Sequence, residues 1–403
     1  MSPRRRVPDQ ERRARLARRH GVSPAHRLSD PLAATRAMTV LHATEPASVL
    51  LSLVARVDGL TVAAAERALY DDRTLVKQLA MRRTLFVFPR ELLPAAWGSA
   101  SARVAGTERR RMMGEAAKHP ELAAAWPDGS AWLDDARARV LAAVDDRPDG
   151  VLAADLRRVL PELHGRVSVS PGSTWGPSRV LTHLGLTADL VRGVNTGAWW
   201  VSRPRWTSMT GWLGERPAPL PEPEGWAELV RRWLRSFGPG TEADLVWWLG
   251  ATKSVVRAAL ADVGAVPVDL DHGATGWLLA DDLDPVPAVE PWAALLPVLD
   301  PTVMGWKDRG FYLGPHGPAL FDRTGNAGTT AWWDGRVVGC WVQDPDGVVA
   351  VHLLEDVGAD ARAALAAEAE RLTAWLAAEG SGRRIGTVYP SAAMRDAVAL
   401  SGA

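Results

Sequence analysis

The sequence predicts an α+β protein: three tandem winged-helix (helix-turn-helix) modules followed by a small C-terminal antiparallel β-barrel. Three observations carry this expectation. A pattern of helix, Gly-containing turn, helix, third helix and strand recurs three times between residues 30 and 283. A run of prolines at 217, 219, 221 and 223 sets the third copy apart from the second. From Trp292 the texture changes to short β-rich runs broken by Gly and Asp-Gly turns, with Asp334-Gly335 as a hairpin signal. The copies share little identity, so the repeat is one of architecture.

The length of 403 residues and the apolar content of 47% call for several modules around a shared core. The expected divisions are a basic arm (1–29), a first module (30–90), a helical connector (91–129), a second module (130–210), a third module (222–283), and the barrel with its closing helix (290–403). Residues 7–20 read as a helix too polar to bury a face. The first module opens on Arg36 to Leu60. There a polar break, His42-Ala43-Thr44-Glu45-Pro46, precedes an amphipathic helix carrying Val49, Leu50, Leu53, Val54 and Val57 on one face. Thr44 or Glu45 suits its N-cap and Pro46 its first turn. His42 and Thr44 therefore lie at the mouth of a helix N-terminus. Residues 61–72 read as a second helix, 73–84 as a third, and Leu85-Phe86-Val87-Phe88-Pro89 as the strand of a wing. In a winged helix the third helix enters a groove of DNA, which would place Lys77, Gln78, Arg82 and Arg83 at that contact.

Net charge is zero, but the first 36 residues carry arginine at 4, 5, 6, 12, 13, 15, 18, 19, 27 and 36. Such a basic arm suits a polyanion and equally suits a solvated tail. Lysine is confined to 77, 118, 253 and 307, and this arginine preference reads as codon bias of a high-GC genome. In the connector, Arg109-Arg110-Arg111 span roughly 200° of a helix, so at least one faces outward whatever the register. The single Cys340 excludes an internal disulfide and a cysteine zinc site. His164, His183, His316 and His352 show no metal spacing. With no apolar run of 18 residues and no secretory h-region, the expectation is a cytoplasmic protein without a membrane span. No nucleotide-binding or nucleophile motif argues for another enzyme class.

Three winged-helix patterns followed by LDPTVMGWKDRGFYLG and LFDRTGNAGTTAWWDGRVVGCWVQ resemble the family of AlkZ-type bacterial DNA glycosylases, from about Asp30 to about Leu376. The resemblance implies hydrolysis of the N-glycosidic bond of alkylated purines, double-stranded DNA as partner, no metal and no cofactor. It also implies unhooking of crosslinks through N7 of guanine in some members. The family's catalytic motif, Gln-x-Gln or Gln-x-Asp, falls on His42-Ala43-Thr44, with Leu41 before and Pro46 after, so both polar side chains differ here. His42 is the first catalytic candidate, as water holder or base; Thr44 is the second, through its hydroxyl; Glu45 is the third, as a nearby carboxylate. Phosphate contacts are expected from Arg36, Lys77, Gln78, Arg82, Arg83, Arg109, Arg110 and Arg111, and from Lys307, Arg309, Arg323 and Arg336 of the barrel. Each has a salt-bridge alternative. The competing expectation is a catalytically silent DNA-binding protein, acting in damage recognition or transcription. The protein is expected to act as a monomer.

Overall fold

The computed structural model describes residues 4–118, 123–124, 128–160, 167–170, 173–175, 177–380 and 384–401. His164 lies outside them. The structure is mixed α/β, with helices around five small sheets.

The first unit begins with helix Pro31–Ala37, whose N-cap Asp30 accepts the Ala33 N–H. Strand Leu41–His42, helix Pro46–Val54 and helix Val62–Glu66 with its wide turn Arg67–Asp71 follow. Strands Leu75–Leu79 and Leu85–Pro89 complete it, in the sheet order 41–42, 85–89, 75–79. Residues 73–84 are therefore not the expected third helix. Leu75, Val76, Leu79 and Gln78 are buried in a strand. Arg82 and Arg83 turn the chain back with φ of 53° and 61°. Five residues with Leu75, Val76 and Leu79 apolar do not separate strand from helix by periodicity, and here the hairpin partner decided it.

The second unit has the same order: helix Gly129–Asp145, strand Val151–Leu152, helices Ala153–Val159 and Pro177–Leu186, strands Leu190–Asn195 and Pro204–Ser208. It packs on its own core, built from Trp132, Leu133, Val140, Leu181 and Leu184. The third unit runs through helices Glu222–Phe237, Glu242–Leu249 and Lys253–Asp262 into strands Val266–Leu270 and Thr275–Leu278. The N-terminal arm belongs to it. Strand Arg6–Val7 pairs parallel with Val266–Leu270. Helix Asp9–Arg19 does bury a face, because Arg15 reaches Glu11 and Asp282 at 2.9 Å and Arg19 reaches Asp282 at 2.5 Å. Carboxylates on the third unit thus neutralise what read as a free basic tail.

Among the described residues no barrel closes in the C-terminal region. Strands Ala293–Leu296, Thr330–Trp333, Arg336–Gln343 and Val349–Leu353 form an open antiparallel sheet in simple sequence order. Four strands are too few to close around a filled interior. Helices Gly358–Glu379 and Ala392–Ser401 cover the sheet instead. The Asp334-Gly335 turn has φ of 45° and 78°, as its sequence predicted. The segments 304–314 and 318–326, part of the short β-rich runs, are instead largely helix and turn, with short helices Pro301–Met304, Gly310–Leu313 and Gly317–Leu320. The first starts at Asp300, which accepts the Thr302 N–H at 2.9 Å. One large core joins the first unit, the third unit and this sheet.

Candidate active site

The polar break after Leu41 is extended chain, so its side chains alternate between two sides. His42 and Thr44 face a cavity of about 290 Å³ between the first unit, the third unit and the C-terminal region. Ala43 and Glu45 look elsewhere, towards two other pockets. Pairing with Leu85–Pro89 fixes the alternation: His42 sits opposite Phe86, and Ala43 donates its N–H to Leu85 O at 2.9 Å.

His42 is buried, with its ring centroid 4.7 Å from that of Phe86. Its Nδ1 is buried and without a hydrogen-bond partner. Burial pushes the imidazole down to about 3; Arg82 adds to the shift and Asp300 opposes it. The ring is therefore neutral at physiological pH and a weak proton acceptor. It is suited to holding a water, rather than removing a proton from one. Thr44 is exposed at the cavity mouth.

Two guanidinium groups complete the wall. Arg82 lies against the Trp247 ring at 4.2 Å from its centroid, and Arg309 lies at 4.9 Å from the same ring. Arg309 is aimed by a bond from Nε to Val303 O at 3.1 Å and by the Phe321 ring at 4.5 Å, while one of its Nη atoms is buried and unpartnered. Arg82 reaches the ring from a left-handed backbone position. The close approach depends on Gly250, where a Cβ would stand 2.9 Å from Arg82 Cγ. Burial first, then Arg309, holds the Arg82 guanidinium below its usual value. Thr324 and Asn326 come from a turn organised by Asp322, which accepts their two N–H groups, the Thr324 hydroxyl and the Asn326 amide. Burial opposes the ionised form of Asp322, but these donors hold it at about 2. Tyr389 closes the far side. No carboxylate lines the cavity among the described residues.

Glu45 does not join His42 and Thr44. Its carboxylate accepts the Thr387 hydroxyl at 3.1 Å and the Val388 N–H at 3.2 Å, and makes no side-chain cap for helix Pro46–Val54. It ties the loop to the segment that carries Tyr389. Among the expected DNA contacts, Arg82 and Arg309 reach the cavity, and Lys307 and Arg323 are exposed. Gln78 is buried and bonded to Leu79 O, Gly185 O and the Trp97 indole, so it is unavailable to a groove. Lys77 donates to the Tyr70 hydroxyl at 2.9 Å in a separate cleft, where burial lowers it to about 8. Arg36 pairs with Glu91, Arg83 with Glu108, Arg109 with Asp134, Arg111 with Glu115 and Arg336 with Glu355. Arg110 reaches the Thr107 hydroxyl.

Sequence reasoning did not find Trp247, Tyr389, Thr324 or Asn326. A signal existed for Trp247. In Trp247-Trp248 the two side chains point about 100° apart on a helix, and Trp248 is in the core, so Trp247 has to look outward.

The fold and this cavity, set against known proteins, define a class. The sequence signature of the AlkZ-like DNA glycosylase family matches residues 35–375, and the chain belongs to that family. Its fold is that of a solved member: the structure of the Streptomyces sahachiroi DNA glycosylase AlkZ superposes with a TM-score of 0.70 at 20% identity, covering 94% of this chain and 98% of that one. A comparison with curated proteins returned no match. Among the described residues no helix is long and apolar enough to cross a membrane.

Proposed function

We propose that the protein is a monofunctional DNA glycosylase that hydrolyses the N-glycosidic bond of alkylated or bulky N7-guanine adducts in double-stranded DNA. The observation that carries this reading is the convergence of a neutral, unpartnered His42 and the Thr44 hydroxyl in one cationic cavity on the family's catalytic loop. An N7-alkylated guanine is already cationic and leaves without acid assistance. The C1′–N9 bond breaks with its electron pair going to N9, which neutralises the base. A water held by His42 and Thr44 attacks C1′ from the opposite face, and its proton passes to solvent. The protein works as a monomer, its three helix-and-ribbon units acting as winged-helix modules against the duplex. Lys307 and Arg323 join the cavity arginines on the phosphates, and Arg36 and Arg109–Arg111 contribute by exchanging their surface partners. Unhooking of crosslinks and self-resistance to a genotoxin are extensions of the same chemistry.

The test is excision of N7-methylguanine and of a bulky N7-guanine adduct from labelled duplexes, scored as alkali-cleavable abasic sites. Wild type should release one or both. Absence of product from both, with tight salt-sensitive binding, would establish the silent DNA-binding reading instead.

A further inference from the structure

The cavity's charge does not suit a cation. Two guanidinium groups and a neutral imidazole line it, without a carboxylate among the described residues. Asp300, the acid that opposes the His42 shift, is held at 2.7 and 2.8 Å by Arg56. Glu45 is turned away to Thr387. Yet glycosidic cleavage passes positive charge from the base to the sugar. Meanwhile one Arg309 Nη remains buried without a partner, and Arg82, exposed at the cavity, lies on the Trp247 ring with no ion pair among the described residues. A buried Arg309 nitrogen without a partner, beside the exposed Arg82 charge, calls for an anion.

We propose that Arg82 and Arg309, set on the Trp247 ring, bind one backbone phosphate of the DNA strand next to the lesion, and that this phosphate supplies the negative charge missing from the His42–Thr44 loop. The inference rests on the glycosylase reading for the second half only; the phosphate site stands on its own geometry. Both guanidinium groups lie within 5 Å of one ring centroid, and both line the same cavity. Phe321 and Val303 O hold Arg309 before any ligand arrives, so little side-chain freedom is lost on binding. A volume of about 290 Å³ takes a phosphodiester with its sugar beside His42. The cationic base is repelled by the same two groups, so the sugar-phosphate enters and the adduct stays outside. The anion then sits against the sugar as positive charge develops there, and the enzyme needs no carboxylate of its own.

The experiment uses the full-length protein and a duplex carrying a tetrahydrofuran abasic analogue. Each phosphate flanking the analogue is replaced in turn by a neutral methylphosphonate, and affinity is read by fluorescence anisotropy. In the wild type one flanking position should cost about tenfold, the scale of a charge-assisted contact. In Arg82→Ala and in Arg309→Ala the same replacement should cost about threefold, because one of its two partners has gone. Equal penalties in wild type and variants overturn the phosphate site. Arg309→Ala loses the bond to Val303 O; should it fail to fold by circular dichroism, Arg82→Ala carries the comparison. Excision of an N7-adduct is scored separately. Excision with additive penalties retires the phosphate site and keeps the glycosylase reading. Coupled penalties without excision keep the site and retire that reading.

Discussion

Arg56 grips Asp300 through two parallel bonds, Nη1 to Oδ2 at 2.8 Å and Nη2 to Oδ1 at 2.7 Å, with both side chains fully buried. Ser52 donates to the same carboxylate at 2.7 Å, and Thr302 bridges from Arg56 to His20. Burial works against the ionised form of Asp300, but Arg56 and these donors hold it below the usual carboxylate range. The pair ties the end of helix Pro46–Val54 to the segment after Leu299, a wall residue of the cavity.

Asp300→Asn leaves the Arg56 charge buried without its counterion. The expected loss of stability is about 3–5 kcal/mol, measured by urea denaturation at pH 7.5. A loss under about 1 kcal/mol would mean that the pair is dispensable to the fold.

His42→Ala should lower excision by about a hundredfold, since the water loses its holder, with affinity for abasic-analogue DNA nearly unchanged. His42→Gln, which keeps one donor and one acceptor, should recover most of the rate. The wild-type rate should be flat from pH 8 to pH 5, because the ring stays neutral until about pH 3. A kinetic pKa between 6 and 7 that disappears in His42→Gln would show instead that His42 acts as a base.

Glu45→Gln keeps an oxygen that accepts from Thr387 and Val388, so excision should stay within about threefold of wild type. Glu45→Ala releases the segment carrying Tyr389 and should be the worse of the two, by rate and by melting temperature. Loss of activity in the Gln variant equal to that of the Ala variant would give Glu45 a role for its charge.

His20 and His42 are both buried neutral, each lowered from 6.5 to about 3. The stability this represents is present above pH 6.5 and is lost as pH falls towards 3, because the unfolded chain binds the protons first. Each contributes a loss of about 3 kcal/mol at pH 4.5. Urea midpoints at pH 7.5 and 4.5 should differ less in His42→Gln than in wild type; an unchanged difference would place His42 in water.

DNA binding should weaken steeply with salt, since arginines release counterions from the phosphates they meet. Removing Arg82 or Arg309 should lower the slope of log affinity against log salt by about one. A flat response in the wild type would remove nucleic acid as the partner.

Much of the local structure was legible in the chain. The apolar helix that follows His42–Glu45 and the Asp334-Gly335 hairpin are set by short-range periodicity and by turn residues, and these leave a mark within a few positions. The strand at Leu75–Leu79 was missed because a five-residue segment with Leu75, Val76 and Leu79 apolar fits either element until Leu85–Pro89 is placed beside it. The expected barrel is an open sheet instead, because closure is a property of the whole sheet, and helices Gly358–Glu379 and Ala392–Ser401 cover it without closure.

The sequence by itself determined the family and singled out His42 and Thr44 as candidates ahead of an apolar helix. Tertiary structure alone decided which charges remain available. Arg19 meets Asp282 and Arg6 meets Asp271 across more than 260 residues of chain, so the basic arm is neutralised by partners no local pattern announces. Glu45 is drawn to Thr387, also from far along the chain, while Arg82 and Arg309 are left facing one cavity with Trp247. The reason is physical: periodicity reports which side of an element is apolar, whereas a charge pairs with whatever the folded chain brings within about 4 Å.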